Sequence, residues 1–191
     1  MSKIAIFASG EGSNAREILR FLDNKNSGVH VSMLISNKTS AGIHKVAEEY
    51  SIPIQTFLNA EFTSGEKVVA LLEEKEIEWI VLAGFLRKIE TTILGKFENK
   101  IINLHPSLLP KYGGKGMYGR YVHQAVIEAQ EPESGISIHL VNSEFDKGEI
   151  LFQAKCSVKK GQTVEELAKK IQKLEHSFFP KVIEETVLAS Q

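Results

Sequence analysis

The sequence is short of several things, and each shortage removes a class of function. It holds one cysteine, Cys156, in 191 residues. An internal disulfide is therefore impossible and a C-x-x-C metal site is excluded, which fits a reducing, cytoplasmic setting best. The apolar neighbours of Cys156 in ILFQAKCSV make it a small strand residue rather than a nucleophile. No run of eighteen apolar residues occurs, so no membrane span is expected. The opening MSKIAIFASG is too short in apolar length for a secretory signal. There is no excess charge either: 23 basic and 24 acidic residues leave a net charge of -1, which counts against a general nucleic-acid binder. Repeats, low-complexity tracts and linkers are missing as well. A chain of this length, 42% apolar and 25% charged, suits one soluble domain with a real core.

What is present is an alternation. β-Branched runs read as strands at 3–8, 29–36, 52–57, 79–85 and 100–104. Between them, stretches 14–25, 41–50, 64–76 and 91–98 repeat apolar residues at three and four, the period of a helix. Continuous apolar strands separated by helices predict an α/β fold, a mostly parallel twisted sheet with helices on both faces. After residue 130 the rhythm changes. SGISIHLVN (134–142) and EILFQAKCSV (149–158) are separated only by SEFDKG, too short for a helix, so they are expected to pair antiparallel as an extension of the sheet. A last amphipathic helix runs from about Thr163 to Val187, opened by a Thr163/Glu166 capping box and kinked or broken at Pro180.

Three stretches can carry chemistry. ASGEGSN (8–14) follows the first strand and opens the first helix. Glycines there allow a tight turn, and the helix N-terminus offers N–H groups to an anion. Ser13 and Asn14 add side-chain donors, while the plain alternative is a turn with Ser13 capping the helix. Without G-K-[ST] it is not a P-loop, and a small-molecule phosphate site is the preferred reading. The second stretch is IINLHPSLLPKYGG (101–114), where an apolar strand ends on Asn103 and His105. Ligands of open parallel sheets sit beyond the carboxyl ends of strands. Residues two apart on a strand share a side, so the amide and the imidazole can both reach a carbonyl oxygen becoming an oxyanion. Pro106 and Pro110 stiffen the exit. Satisfying loop backbone groups is the competing reading for an isolated Asn-x-His. In the third stretch, HLVNSEFDKGEIL (139–151), Asp146 lies beside Gly148. Turn chemistry alone accounts for both, and the alternative pairs Asp146 with His105, raising its basicity. His139 is either a core or a ligand-facing histidine. A metal is not expected: His105, His123, His139 and Asp146 show no H-E-x-x-H spacing.

SGEGSN, LAGFLRKI (82–89), NLHPSLLP (103–110), SGISIHLVNSEFDKGEIL (134–151) and LEH (174–176) occur in that order. Together they resemble the phosphoribosylglycinamide formyltransferases, a branch of the folate-dependent formyltransferase family, over nearly the whole chain. The resemblance implies a Rossmann-like formyltransferase fold in a single domain, 1–191. Residues 1–100 would form a ribonucleotide phosphate-binding half, and 101–191 a catalytic and folate-binding half. It implies Asn103, His105 and Asp146 as catalytic residues. Gly12, Ser13 and Asn14 would receive the ribonucleotide phosphate, and Gln172 and Glu175 would contact the same substrate. Leu86, Arg87 and Ile89, with Asn103 and the 141–146 loop (Val141, Asn142, Glu144, Asp146), would hold the pterin of 10-formyltetrahydrofolate. The implied partners are these two small molecules, without metal, nucleic acid or membrane, in a monomer or weak homodimer. The chain departs from the family pattern at KYGGKGMYGRYVHQAV (111–126), longer than the usual segment before a histidine, here His123, and in having no arginine over 59–67. A methionyl-tRNA formyltransferase is expected to carry a further C-terminal domain, and a formyltetrahydrofolate hydrolase a further N-terminal one. The hydrolase or another folate-dependent formyltransferase, and a nucleotide-sensing Rossmann-type module without catalysis, stay as alternatives.

Overall fold

Strand β1 (Ser2–Ala8) shows how the molecule is layered. Its side chains alternate between faces. Ile4, Ile6 and Ala8 enter one apolar cluster, and Ala5 and Phe7 enter another on the opposite face. Both faces are buried, which is why the strand reads as an unbroken apolar run rather than an alternating one. The computed structural model describes residues 1–25 and 27–190.

After β1 come α1 (Ser13–Lys25), β2 (Val29–Ser36), α2 (Ile43–Glu49), β3 (Ile54–Thr56), α3 (Asn59–Phe62), α4 (Glu66–Glu74), β4 (Trp79–Leu82), α5 (Thr91–Lys96) and β5 (Ile101–His105). The chain continues with α6 (Arg120–Glu128), β6 (Glu133–Leu140), β7 (Ile150–Ser157) and α7 (Val164–Ala189). The strands form one sheet in the order β3-β2-β1-β4-β5-β6-β7. Pairing is parallel from β3 through to β5 and antiparallel for β5–β6 and β6–β7. The expected α/β architecture with its antiparallel extension is the one observed. One face is covered by α1 and α7, whose Ile18, Leu19, Ile171 and Ile183 join the first cluster. The other is covered by α4 and α5, through Val68, Leu72 and Ile93.

Some boundaries differ from expectation. β4 stops at Leu82, because Gly84 adopts φ 75 and turns the chain away from the sheet. The third strand keeps only Ile54–Thr56. The short helix α3 and helix α6 were not expected, although α6 buries Val122, His123 and Val126 at helical spacing. Helix α7 runs through Pro180 without breaking. A proline inside a helix costs about 3 kcal/mol, and here Phe179, Pro180, Ile183 and Val187 are all buried, so core packing outweighs the lost bond. The Thr163/Glu166 capping box forms as expected, with Thr163 Oγ1 accepting from the Glu166 N–H at 3.2 Å.

Candidate active site

The carboxyl ends of β4 and β5, the 114–119 segment, the β6–β7 connection and α7, with Asn14 of α1, enclose a cleft of about 740 Å³, a size that suits a small-molecule site. β5 delivers Asn103 and His105 to it from one side of the strand. His105 is 4% exposed. Its Nε2–H donates to the Tyr112 carbonyl at 2.8 Å, which leaves Nδ1 facing Asp146 Oδ2 at 3.6 Å. Tyr112 reaches this position with φ 55, a left-handed conformation rare outside glycine. The loop between is pinned from below: Ser137 Oγ accepts the Leu109 N–H at 2.9 Å and donates to the Ser107 carbonyl at 2.7 Å.

Asp146 comes from the β6–β7 loop, also in the left-handed region at φ 54. It accepts the Gly114 N–H at 2.8 Å, and the His139 Nε2 lies 3.7 Å away. Two glycines pack closely around it, and the backbone contact at Gly148 admits no side chain. A Cβ at Gly148 would sit 1.7 Å from the Leu140 oxygen, and one at Gly113 2.6 Å from Leu109 Cδ2. His139 is the residue the sequence left open, and it faces the cluster. Its Nδ1–H donates to the Leu140 carbonyl at 2.7 Å, so its Nε2 accepts from Asn103 Nδ2 at 3.0 Å. Asn103, His105, His139 and Asp146 thus form one connected group.

Burial is the first cause acting on His105 and pulls its basicity down. Asp146 and the Tyr112 carbonyl oppose it without prevailing, and His139 adds to the lowering. The expected rise in basicity is therefore corrected: Asp146 pushes upward, but the enclosed imidazole ends below its ordinary 6.5 and is neutral at rest. For Asp146, burial acts most strongly and pushes upward, but His139, the Gly114 amide and His105 together bring the carboxyl below its ordinary range. Asp146 is the resting charge of the site. His123, 7% exposed, also lines the cleft. Burial and then His105 lower its basicity, and its Nδ1 is buried without a partner.

At the other end of the cleft, Asn14 on α1 and Glu175 on α7 meet, with Nδ2 donating to Oε2 at 2.9 Å. Asn14 Oδ1 is left buried and unpartnered, an unsatisfied acceptor beside the cleft. Burial raises the Glu175 carboxyl above its usual range despite the Asn14 bond. Gln172 lines the same wall, and so does Lys169, an exposed cation one turn earlier that sequence reasoning did not single out. Gly12 and Ser13 do not line the cleft. Gly12 is buried with φ 77, and a Cβ there would meet Ile43 Cδ1 at 2.7 Å, so this glycine lets α1 approach α2.

Leu86, Arg87 and Ile89 line the cleft from the loop after β4. Leu86 is 51% exposed at the rim, and Arg87 lies over the Phe62 ring at 5.1 Å. Val141, Asn142 and Glu144 line it from the loop after β6. Both halves of the chain contribute to both ends of the cleft. Backbone contacts are what sequence reasoning missed: the Tyr112 carbonyl and the Gly114 amide carry no side-chain signal. Among the described residues no group of three or more His, Cys, Asp or Glu side chains is arranged to hold a metal. Among them also, no helix is long and apolar enough to cross a membrane.

The formyl transferase family pattern matches residues 2–183. A phosphoribosylglycinamide formyltransferase of Bacillus subtilis (strain 168) is 34% identical over 189 residues, covering 97% of this chain and 94% of that protein. A chloroplastic phosphoribosylglycinamide formyltransferase of Arabidopsis thaliana is 37% identical over 186 residues, covering 95% of this chain. The chain spans only 64% of that plant protein's length. Among solved structures, the phosphoribosylglycinamide formyltransferase from Bacillus halodurans superposes with a TM-score of 0.90 at 32% identity, covering 100% of this chain and 97% of its own.

Proposed function

Because the chain belongs to the formyl transferase family, we propose that it moves the formyl group of 10-formyltetrahydrofolate to the amine of glycinamide ribonucleotide. It would do so as a cytoplasmic purine-biosynthesis enzyme without metal, a monomer or weak homodimer. The observation that carries this reading is the convergence of Asn103, His105 and Asp146 on one cleft, with Asn14 and Glu175 at its far end. The ribonucleotide occupies the Asn14–Gln172–Glu175 end, its phosphate toward the start of α1, where the first N–H groups have no intrahelical partner. The pterin lies against Leu86, Arg87, Ile89 and the Val141–Asp146 loop.

The substrate amine attacks the formyl carbon, and the carbonyl oxygen becomes an oxyanion. The Asn103 amide, already oriented by His139, stabilises that charge. His105 takes up a proton at Nδ1 as the amine loses one. This creates an imidazolium between the Tyr112 carbonyl and the Asp146 carboxylate, and the cation then faces the oxyanion. The proton is delivered to the departing folate nitrogen as the C–N bond to it breaks, giving formylated ribonucleotide and tetrahydrofolate. Asp146 supplies the fixed negative charge that makes the transient imidazolium affordable in a buried site.

The test is the absorbance of deformylated folate, followed with and without glycinamide ribonucleotide. Turnover that requires the ribonucleotide supports the assignment. Folate release without an amine acceptor would replace it with the hydrolase.

A further inference from the structure

We propose that Ser9, with Asn37 behind it, is a positioning residue that fixes the pterin-side loop and ties it to the loop leading to the ribonucleotide phosphate. The inference rests on the functional reading above and assigns a residue outside the cleft lining. Ser9 is the first residue after β1 and Asn37 the first after β2, 4% and 8% exposed. Ser9 Oγ donates to Asn37 Oδ1 at 2.7 Å and accepts the Leu86 N–H at 2.9 Å. The Ser9 N–H donates to the Gly84 carbonyl at 3.1 Å, just beyond the Ala83 to Phe7 sheet bond of 2.9 Å.

A hydroxyl has one proton and two lone pairs. With the proton committed to Asn37, a lone pair is aimed at Leu86. The loop needs this support because Gly84, at φ 75, has no heavy atom within 4 Å of a notional Cβ and so nothing packed against it there. The next residues, Leu86 and Arg87, line the cleft. One residue beyond Ser9 in the other direction, Gly10 begins the turn into α1, and its carbonyl accepts the Ile43 N–H at 3.1 Å. A single buried hydroxyl thus sits between the backbones serving the two substrates.

The test compares Ser9→Ala, Asn37→Ala and the double variant in the full chain by steady-state kinetics in both substrates. Ser9→Ala removes the acceptor of the part-buried Leu86 N–H and the donor to the buried Asn37 oxygen. The folate KM is expected to rise about tenfold, with kcat and the ribonucleotide KM within about twofold. Asn37→Ala is expected to raise the folate KM about threefold, and the double variant to be no worse than Ser9→Ala alone, since both act through one hydroxyl. A folate KM unchanged in Ser9→Ala overturns the proposal, and so does a uniform fall in kcat, both affinities and Tm. Should Ser9→Ala not fold, Ser9→Cys and Asn37→Ala face the same criterion. Amide exchange at Leu86 adds a readout independent of turnover: faster exchange in Ser9→Ala supports the strut, and unchanged exchange overturns it. A wild-type chain that fails to transfer formyl sinks the functional reading, while the Leu86 exchange still decides the role of Ser9 in the loop.

Discussion

The two ends of the cleft are held in contrasting ways. Around Asp146, protein groups hold one another: Asn103 bonds to His139, His105 to the Tyr112 carbonyl, and Asp146 to the Gly114 amide. Around Glu175, among the described residues, a single 2.9 Å bond from Asn14 is the arrangement, and Asn14 Oδ1 is left without a partner. The first end is finished before any ligand arrives. On the proposed function, the second is completed by the ribonucleotide. Groups fixed in advance act on the transition state and should appear in kcat, whereas groups satisfied by the substrate should appear in KM.

The largest expected effect tests the finished end. Asp146→Asn should lower kcat by about 10²–10³ while leaving the ribonucleotide KM within about twofold. Asparagine tolerates the left-handed backbone at this position, so the change isolates the charge. Steady-state kinetics with both substrates checks it, and a large rise in the ribonucleotide KM would break the division between the two ends. Next in size is Gly12→Ala. A side chain at φ 77 against Ile43 should destabilise the fold by about 1–3 kcal/mol, read as a lower midpoint in urea unfolding. The kcat of the folded fraction should hold, because Gly12 supports the packing of α1 on α2.

Glu175→Gln comes third. It should raise the ribonucleotide KM about tenfold with kcat little changed. A fall in kcat alone would move Glu175 into the chemical step. The smallest effect is on stability against pH, where the two ends oppose each other in sign. The folded state refuses protons at His105 and His123 that the unfolded chain takes up below 6.5, so stability is lost as pH falls below that value. Glu175 has a raised carboxyl, so its contribution is present below 4.5 and is lost as pH rises through the folded value. Thermal unfolding between pH 7.5 and 5 should show a falling Tm in the wild type and a shallower fall in His105→Asn. A His105→Asn profile as steep as the wild type would contradict the neutral resting imidazole.

The sheet was legible because its strands are continuous apolar runs and its helices keep a clean period. Helix α6 was not, because the glycine-rich 111–119 segment masks its start. Asn103, His105 and Asp146 were legible because polar side chains at strand ends and beside a turn glycine break the apolar pattern. What the sequence could not disclose was the sign of the shift at His105. It depends on how deeply the loop over 106–114 encloses the ring, and burial then outweighs the neighbouring carboxylate. Gly12 reads two ways for a related reason: a glycine needed for helix packing, as its close approach to Ile43 requires here, looks the same in sequence as one needed for a ligand.

The acceptor that orients His105 is a main-chain oxygen, and this frees position 112 in a particular way. Any amino acid that tolerates the left-handed turn supplies the same carbonyl. The side chain there does separate work: its ring packs partly buried against the core, and the Tyr112 hydroxyl donates to Glu131 at 3.0 Å. The imidazole's tautomer is thus set by main-chain geometry, and the side chain at 112 bears on it only through holding this loop in place against the core.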